Sequence, residues 1–197
     1  MYYSIDKKTV AETVIKRSRF IASLIPVNSA EEAEYSINAA KREYYDAAHN
    51  CYAYIITANE ARFSDDGEPQ GTAGPPMLSV LKKRRLERVL AIVTRYFGGV
   101  KLGAGGLVSA YTRSLAACID SADIKQYAPT KTLRLSFGYN AVKTVDSTLK
   151  SLAASVQNAE YADGISYAVS VPEENYSILK TALIENTSSA IVFYDDI

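Results

Sequence analysis

Hydrophobic and polar positions change their spacing along the chain, and these changes predict alternating strands and helices. Residues 10–14 and 20–25 are dominated by apolar and β-branched side chains, which predicts two strands. Ser29, followed three residues later by Glu32, is typical of a helix N-terminus, and apolar residues then recur at helical spacing. The aromatic and β-branched residues of 51–57 predict a third strand. The chain is therefore expected to begin as β-β-α-β.

Residues 63–76 form a long stretch without a regular pattern, and ordered elements are predicted to follow it. Its glycines and prolines exclude regular structure over most of its length, and long loops inside compact domains are often functional. A helix is expected to begin at Pro75 and to end at the basic run 82–85. The continuous apolar run 89–94 predicts a central strand. Beyond a glycine-rich loop, a helix with one buried face is predicted by the spacing of Leu107, Tyr111, Leu115 and Ile119.

The pattern restarts after Pro129 and predicts a second, smaller domain. Two of its strands should be joined by Asp163-Gly164, a strong signal for a two-residue hairpin. The strands and helices expected here are, in order, strand 132–137, a helix from Val142, strands 156–161 and 165–171, a helix around 176–183 and strand 190–194. This β-α-β-β-α-β order is that of the ferredoxin-like unit. We therefore predict an α+β fold in two domains, residues 1–128 and 129–197.

Composition and charge narrow the classes of protein without selecting one. The 197 residues, 48% of them hydrophobic, are enough to bury a core, and no apolar run reaches the length of a membrane span. Cys51 and Cys118 form neither a disulfide framework nor a CxxC pair, and the N-terminus lacks a signal pattern, so we expect a cytoplasmic protein with no membrane partner. Net charge is zero, but residues 1–128 carry 17 basic and 14 acidic side chains, which permits an anionic partner there.

The glycine-rich segment 95–106, between a strand and a helix, is the strongest candidate functional site. Glycines allow a ligand to approach the backbone, and amide groups at a helix N-terminus favour an anion. The candidate anion-binding or nucleic-acid-binding residues are Arg95, Tyr96, Phe97, Gly98, Gly99, Lys101, Gly103, Gly105, Gly106 and Arg113. Tyr96 and Phe97 are placed to stack on bases. The alternative is a tight turn whose glycines are needed only for packing, and both interpretations stay open.

Three carboxylates, Asp65, Asp66 and Glu68, form a second candidate site in the long loop. They could bind Mg²⁺ or act as acid and base, although their spacing is not that of an EF-hand. The alternative is a solvated acidic turn, or carboxylates that pair with Arg95 or Lys101. His49 and Cys51 could begin a metal or nucleophile site, but a buried cysteine and a satisfied histidine are the commoner outcome. We predict no catalytic residues and no cofactor, with Mg²⁺ left possible.

Three segments of the N-terminal part resemble the YigZ/IMPACT family. They are RFIA at 19–22, FSDDGEPQGTAG at 63–74 and RYFGG at 95–99 with its continuation to Leu107. The resemblance implies that residues 1–128 take the fold of the second domain of small-subunit ribosomal protein five, shared with elongation factor G domain IV and some small-molecule kinases. The C-terminal part looks like the last domain of elongation factor G. Ser109 departs from the family pattern, in which a basic residue is expected.

The resemblance also implies a role but no catalytic residue set. Eukaryotic members are implied to regulate translation by binding a scaffold protein of the amino-acid starvation response. Our leading hypothesis is a translation-associated regulatory protein that contacts RNA or the ribosome through the glycine-rich loop, with a further protein partner possible. The two alternatives are a magnesium-dependent enzyme acting on a phosphorylated small molecule or nucleotide, and a protein-interaction module that binds no nucleic acid.

Overall fold

A computed structural model of the chain describes residues 1–194 and confirms an α+β architecture with antiparallel sheets. The chain divides into two compact units, Met1–Tyr127 and Ala128–Ile197, which are described here separately. Among the described residues, no helix has the length and apolarity needed to cross a membrane.

The N-terminal unit is built on a five-stranded sheet in which every neighbouring pair is antiparallel. In the spatial order of the sheet, its strands are β2 (Thr9–Ile15), β3 (Ser18–Pro26), β6 (Val89–Tyr96), β4 (His49–Thr57) and β5 (Glu60–Ser64). The strand predicted to be central, β6, does lie between two others, and only its last residue is not buried. Helices cover both faces of the sheet, so residues that point to either face of β6 are buried. This explains why its apolar run is continuous.

Helices cover the two faces of this sheet. They are α1 (Ala30–Glu43) on one face, and α2 (Gly74–Lys83) with α3 (Ala104–Asp120) on the other. Alternate residues of β6 separate the faces: Leu90 packs in the α1 cluster, whereas Ala91 packs in the cluster of α2 and α3. The four residues predicted to form the buried face of α3 are all buried.

Three short strands were not predicted from the sequence. β1 (Tyr2–Ile5) pairs with β7 (Ile124–Tyr127), so each finds its partner about 120 residues away along the chain. β5 contains Glu60, Arg62 and Ser64, which leave it without apolar alternation, and its end overlaps the predicted loop. These strands are too short and too polar to be recognised without their partners.

The start of α1 confirms the predicted helix signal. The backbone N–H of Glu32 donates to the hydroxyl of Ser29, at 3.2 Å. In return the Glu32 carboxylate accepts the backbone N–H of Asn28, at 2.8 Å, one residue before the position that a standard capping box would use.

The C-terminal unit has the predicted β-α-β-β-α-β order. Its elements are β8 (Thr130–Phe137), α4 (Val142–Ser151), β9 (Ser155–Tyr161), β10 (Ile165–Pro172), α5 (Tyr176–Asn186) and β11 (Ile191–Tyr194). The four strands form an antiparallel sheet in the order β11-β8-β10-β9. The predicted two-residue hairpin is wrong: Tyr161 pairs with Ile165, so the connection has three residues, with Ala162 preceding Asp163-Gly164.

Candidate functional site

The acidic loop between β5 and α2 is held by its own first carboxylate. Both Asp65 oxygens accept backbone N–H groups, from Gly71 at 2.8 Å, Ala73 at 2.9 Å and Gly74 at 2.8 Å. Two of these amides lie at the start of α2, where no side chain of the N-cap residue itself forms a hydrogen bond. Asp65 therefore closes the loop and caps α2.

The second carboxylate, Asp66, ties the loop to two other elements. One oxygen pairs with the Lys41 ammonium of α1, and the other accepts the backbone N–H of Asn50 in β4, both at 2.7 Å. The hydrogen bond to Asp66 raises the pKa of Lys41. Asp66 thus acts as a link between the loop, α1 and β4.

The third carboxylate, Glu68, is buried in the N-terminal unit. Its Oε1 accepts from Arg95 Nη1 at 2.6 Å and from the Tyr111 hydroxyl at 2.8 Å. Its Oε2 faces His49 Nε2 at 3.8 Å. The Glu68 and Arg95 side chains are only 2% and 7% exposed, so this is a buried ion pair joining the loop, β6 and α3. The alternative in which an acidic side chain of the loop pairs with Arg95 is confirmed for Glu68 alone.

Cys51 and His49 serve the same loop and do not form a nucleophilic pair. The Cys51 thiol donates to the Asp65 carbonyl at 2.9 Å and lies 3.3 Å from the Tyr111 hydroxyl. Burial raises the pKa of Cys51 to about 12, so the reactive thiolate is suppressed at neutral pH. His49 Nδ1 lies 2.9 Å from the Asp66 carbonyl. Both side chains support the loop backbone.

The acidic loop is therefore a structural assembly in which each carboxylate has its own partners. The partners differ: amides for Asp65, Lys41 and an amide for Asp66, Arg95 and Tyr111 for Glu68. Within residues 1–194, no three histidine, cysteine or acidic side chains gather in a way that could hold a metal ion.

Two arginines predicted to line the glycine loop lie elsewhere. Arg95 is turned inward, with its guanidinium 5.7 Å from the ring centroid of Phe20 and 5.6 Å from that of Phe97. Arg113 is ten residues beyond Gly103, which places it about 15 Å along α3 from the loop. The sequence could not show the burial of Arg95, because it depends on packing between elements distant in the chain, whereas the position of Arg113 follows from the length of the predicted helix.

Four of the five loop glycines have a structural reason to be glycine. A Cβ on Gly98 would lie 2.0 Å from the carbonyl carbon of Arg17, which is a steric clash with backbone. Gly99 and Gly103 have φ angles of +81° and +73°, in the region that favours glycine. At Gly106, a Cβ would meet the side chain of Leu102 at 3.2 Å. The tight-turn interpretation therefore accounts for most of the loop.

Gly105 is the exception. It lies in the first turn of α3, where a Cβ would meet nothing within 4 Å, and its backbone does not require a positive φ. Glycine at such a position costs helix stability relative to alanine. The same helix end has no side-chain cap, so its first amide groups have no side-chain partner.

Exposed basic and aromatic side chains lie in the glycine loop that leads into this helix and in a hairpin that contacts the loop at Gly98. Lys101 and Phe97, the latter 53% exposed, belong to the loop itself. Lys16 and Arg17 come from the β2–β3 hairpin, whose next residue, Ser18, accepts the Gly98 amide at 3.2 Å. Sequence reasoning missed the hairpin because its turn contains no glycine or asparagine, although both turn residues have positive φ. We call Lys16, Arg17, Phe97, Lys101 and Gly105 the glycine-loop surface.

Tyr96, also predicted to stack on bases, already has partners. Its hydroxyl donates to the Asp46 carboxylate at 2.8 Å, and the Arg19 guanidinium lies 4.8 Å from its ring centroid. Phe97 is the more exposed ring of this pair, with the buried Arg95 guanidinium 5.6 Å from its centroid.

This chain is similar to known proteins in both sequence and fold. A family model described as the Impact N-terminal domain matches residues 16–119. The chain is 35% identical to the IMPACT family member YvyE of Bacillus subtilis (strain 168), over 95% of this chain and 87% of that protein. It is 33% identical to the IMPACT family member YigZ of Escherichia coli (strain K12), over 83% of this chain and 82% of that protein.

A solved structure extends the likeness to the whole fold. The crystal structure of a hypothetical protein matches with a TM-score of 0.72 and 27% identity, covering 100% of this chain and 97% of that one. The residues matched by the family model include the acidic loop, the buried Glu68–Arg95 pair and the glycine loop. On these grounds the chain belongs to the IMPACT family.

Proposed function

We propose that this protein is a translation-associated binding protein that contacts RNA phosphates through the glycine-loop surface. The observation that carries the proposal is Gly105, an unobstructed glycine beside uncapped amides at a helix N-terminus. A ligand that approaches the backbone closely is a physical reason to keep glycine there. Helix N-terminal amides and the helix dipole both favour an anion.

The side chains of the glycine-loop surface suit RNA better than a lone phosphate. Lys16, Arg17 and Lys101 are exposed cations from two neighbouring segments, and none forms an ion pair within residues 1–194. Cations spaced along a protein surface can each contact a different phosphate of an RNA backbone. Phe97 adds an exposed ring on which a base can stack, and stacking is tolerant of sequence.

The family membership supports the translation part of the proposal. The resemblance to the YigZ/IMPACT family implies translational regulation for its eukaryotic members, and we extend such a role, together with a cytoplasmic location, to this chain. The proposal also assigns a specific fold to each unit. The N-terminal unit would have the fold of the second domain of small-subunit ribosomal protein five, and the C-terminal unit would have a ferredoxin-like fold. The acidic loop contributes indirectly, because Glu68 holds Arg95 and so fixes the start of the glycine loop.

Salt dependence of RNA binding tests the proposal. Fluorescence anisotropy with a labelled single-stranded RNA would be measured over a series of salt concentrations. Replacing Lys16, Arg17 or Lys101 singly by alanine should weaken binding and flatten the logarithmic salt slope by about one unit each. Lys8→Ala is the matched control, because Lys8 is an exposed lysine at the opposite end of β2, about 26 Å from Lys16 at the rise of a strand.

Unchanged slopes in all three variants would refute a phosphate contact at this surface. An equal loss in Lys8→Ala would show that binding follows overall charge, and this too would count against the glycine-loop surface.

A further inference from the structure

Strand β2 lies at an edge of the five-stranded sheet and leaves a row of backbone groups unpaired. Its hairpin to β3 has a two-residue turn, so the closing pair, Ile15 and Ser18, exchanges hydrogen bonds. Alternation then turns the N–H and C=O groups of Val10, Glu12 and Val14 away from β3. Among the described residues of the N-terminal unit, no strand pairs with that side of β2.

This edge has few of the features that protect sheet edges from other chains. β2 has seven residues, contains no proline or lysine, and keeps an unbroken register with β3. Val10 and Val14 are 50% and 67% exposed. The opposite edge, β5, is shorter, with five residues. An added strand would therefore meet a straight, partly apolar edge at β2.

A groove runs between this edge and α3. Its volume is about 530 Å³, and it is lined by Thr13, Val14, Ile15, Arg113, Ala116, Ala117 and Asp120. The small side chains of Ala116 and Ala117 leave room for side chains of an added strand.

The charge of the groove is set by Arg113. Asp120 is paired with Arg84 at 2.6 Å. Arg113 is exposed and forms no ion pair or side-chain hydrogen bond with any residue of 1–194. The groove therefore offers an unneutralised guanidinium, which suits a carboxylate on the incoming strand.

We propose that an extended, acidic segment of a partner protein adds to the sheet along β2 and places a carboxylate at Arg113. Backbone hydrogen bonds to Val10, Glu12 and Val14 would supply affinity, and the groove would supply selectivity. A second copy of this chain is disfavoured as the occupant. Antiparallel self-pairing centred on this edge would set Glu12 directly opposite its equivalent, and like charges in that position are destabilising. The exposed pair of Glu12 with Arg19, at 3.4 Å, offsets this repulsion only in part.

The test begins with a displayed library of random heptapeptides selected on the full chain. We expect enriched sequences with alternating apolar or β-branched residues and an acidic side chain. In amide hydrogen exchange, the enriched peptide should protect Val10, Glu12 and Val14. Ala11 and Thr13 should change little, because their amides already pair with β3.

Two substitutions locate the peptide. Glu12→Pro removes an outward N–H without touching the ladder to β3, and should weaken peptide binding about tenfold or more. Glu12→Ala keeps that N–H and is the matched control. Arg113→Gln should weaken binding of the acidic peptide about tenfold, but should not weaken binding of its glutamine version.

Three results would overturn the proposal: no enrichment of peptides, protection outside β2, or equal losses in Glu12→Pro and Glu12→Ala. Concentration-dependent self-association that protects the same three amides would assign the edge to a second copy and overturn the proposed occupant. RNA binding by Glu12→Pro is scored separately, so this inference and the proposed function can fail independently.

Discussion

At the scale of single residues, Glu68 shows how one buried charge can organise a loop. Its carboxylate would be costly in the interior without partners, and it has Arg95, Tyr111 and, at a greater distance, His49. The Arg95 Nε is buried and has no hydrogen-bond partner, so this guanidinium depends on Glu68 for compensation. The pair therefore holds together the acidic loop and the strand that leads into the glycine loop.

Substituting Glu68→Gln should destabilise the N-terminal unit by about 3–5 kcal/mol, because it leaves the Arg95 charge buried without a counter-charge. Urea unfolding at neutral pH measures the loss. The control is Asp120→Asn, which breaks the exposed pair with Arg84 and should cost at most about 1 kcal/mol. Similar losses in both variants would show that burial adds nothing to the Glu68 pair.

At the scale of elements, the strand-to-helix connection from β6 to α3 combines fixed and free glycines. Gly98 is fixed by the β2–β3 hairpin, whose backbone occupies the space of a Cβ. Gly105 has open space and lies in the first turn of a helix. The fold therefore requires glycine at position 98, whereas only a ligand would require glycine at position 105.

Gly98→Ala should destabilise the protein by about 3 kcal/mol or more, because a Cβ 2.0 Å from backbone forces the hairpin and the loop apart. Gly105→Ala should leave stability unchanged or raise it by about 0.5–1 kcal/mol, through the higher helix propensity of alanine. Thermal and urea unfolding of the two variants are the measurement. A large loss in Gly105→Ala would reveal a structural need for that glycine.

Elements with strong internal patterns were predictable from sequence, and those defined by distant partners were not. The apolar run of β6 and the buried face of α3 carry their own signal. β1 and β7 become strands only through each other. The candidate site divides in the same way: the glycine loop was predicted, but the inward turn of Arg95 and the approach of Lys16 and Arg17 depend on tertiary packing.

At the scale of the whole molecule, the two units differ in charge and in the chemistry they expose. Residues 1–128 carry three more basic than acidic side chains, and residues 129–197 carry three fewer. The glycine-loop surface and the β2 groove both belong to the N-terminal unit, which is also the part matched by the family model. We therefore expect the N-terminal unit to provide the main binding surfaces of this protein.

The glycine-loop surface is proposed to serve a ligand and not only a turn, and Gly105→Ala separates these two roles. RNA affinity of this variant should be measured by anisotropy beside its free energy of unfolding. We expect clearly weaker RNA binding with stability unchanged or raised, because the added methyl group blocks approach to the helix amides without straining the fold. Wild-type RNA affinity in a stably folded Gly105→Ala protein would rule out a ligand contact at Gly105.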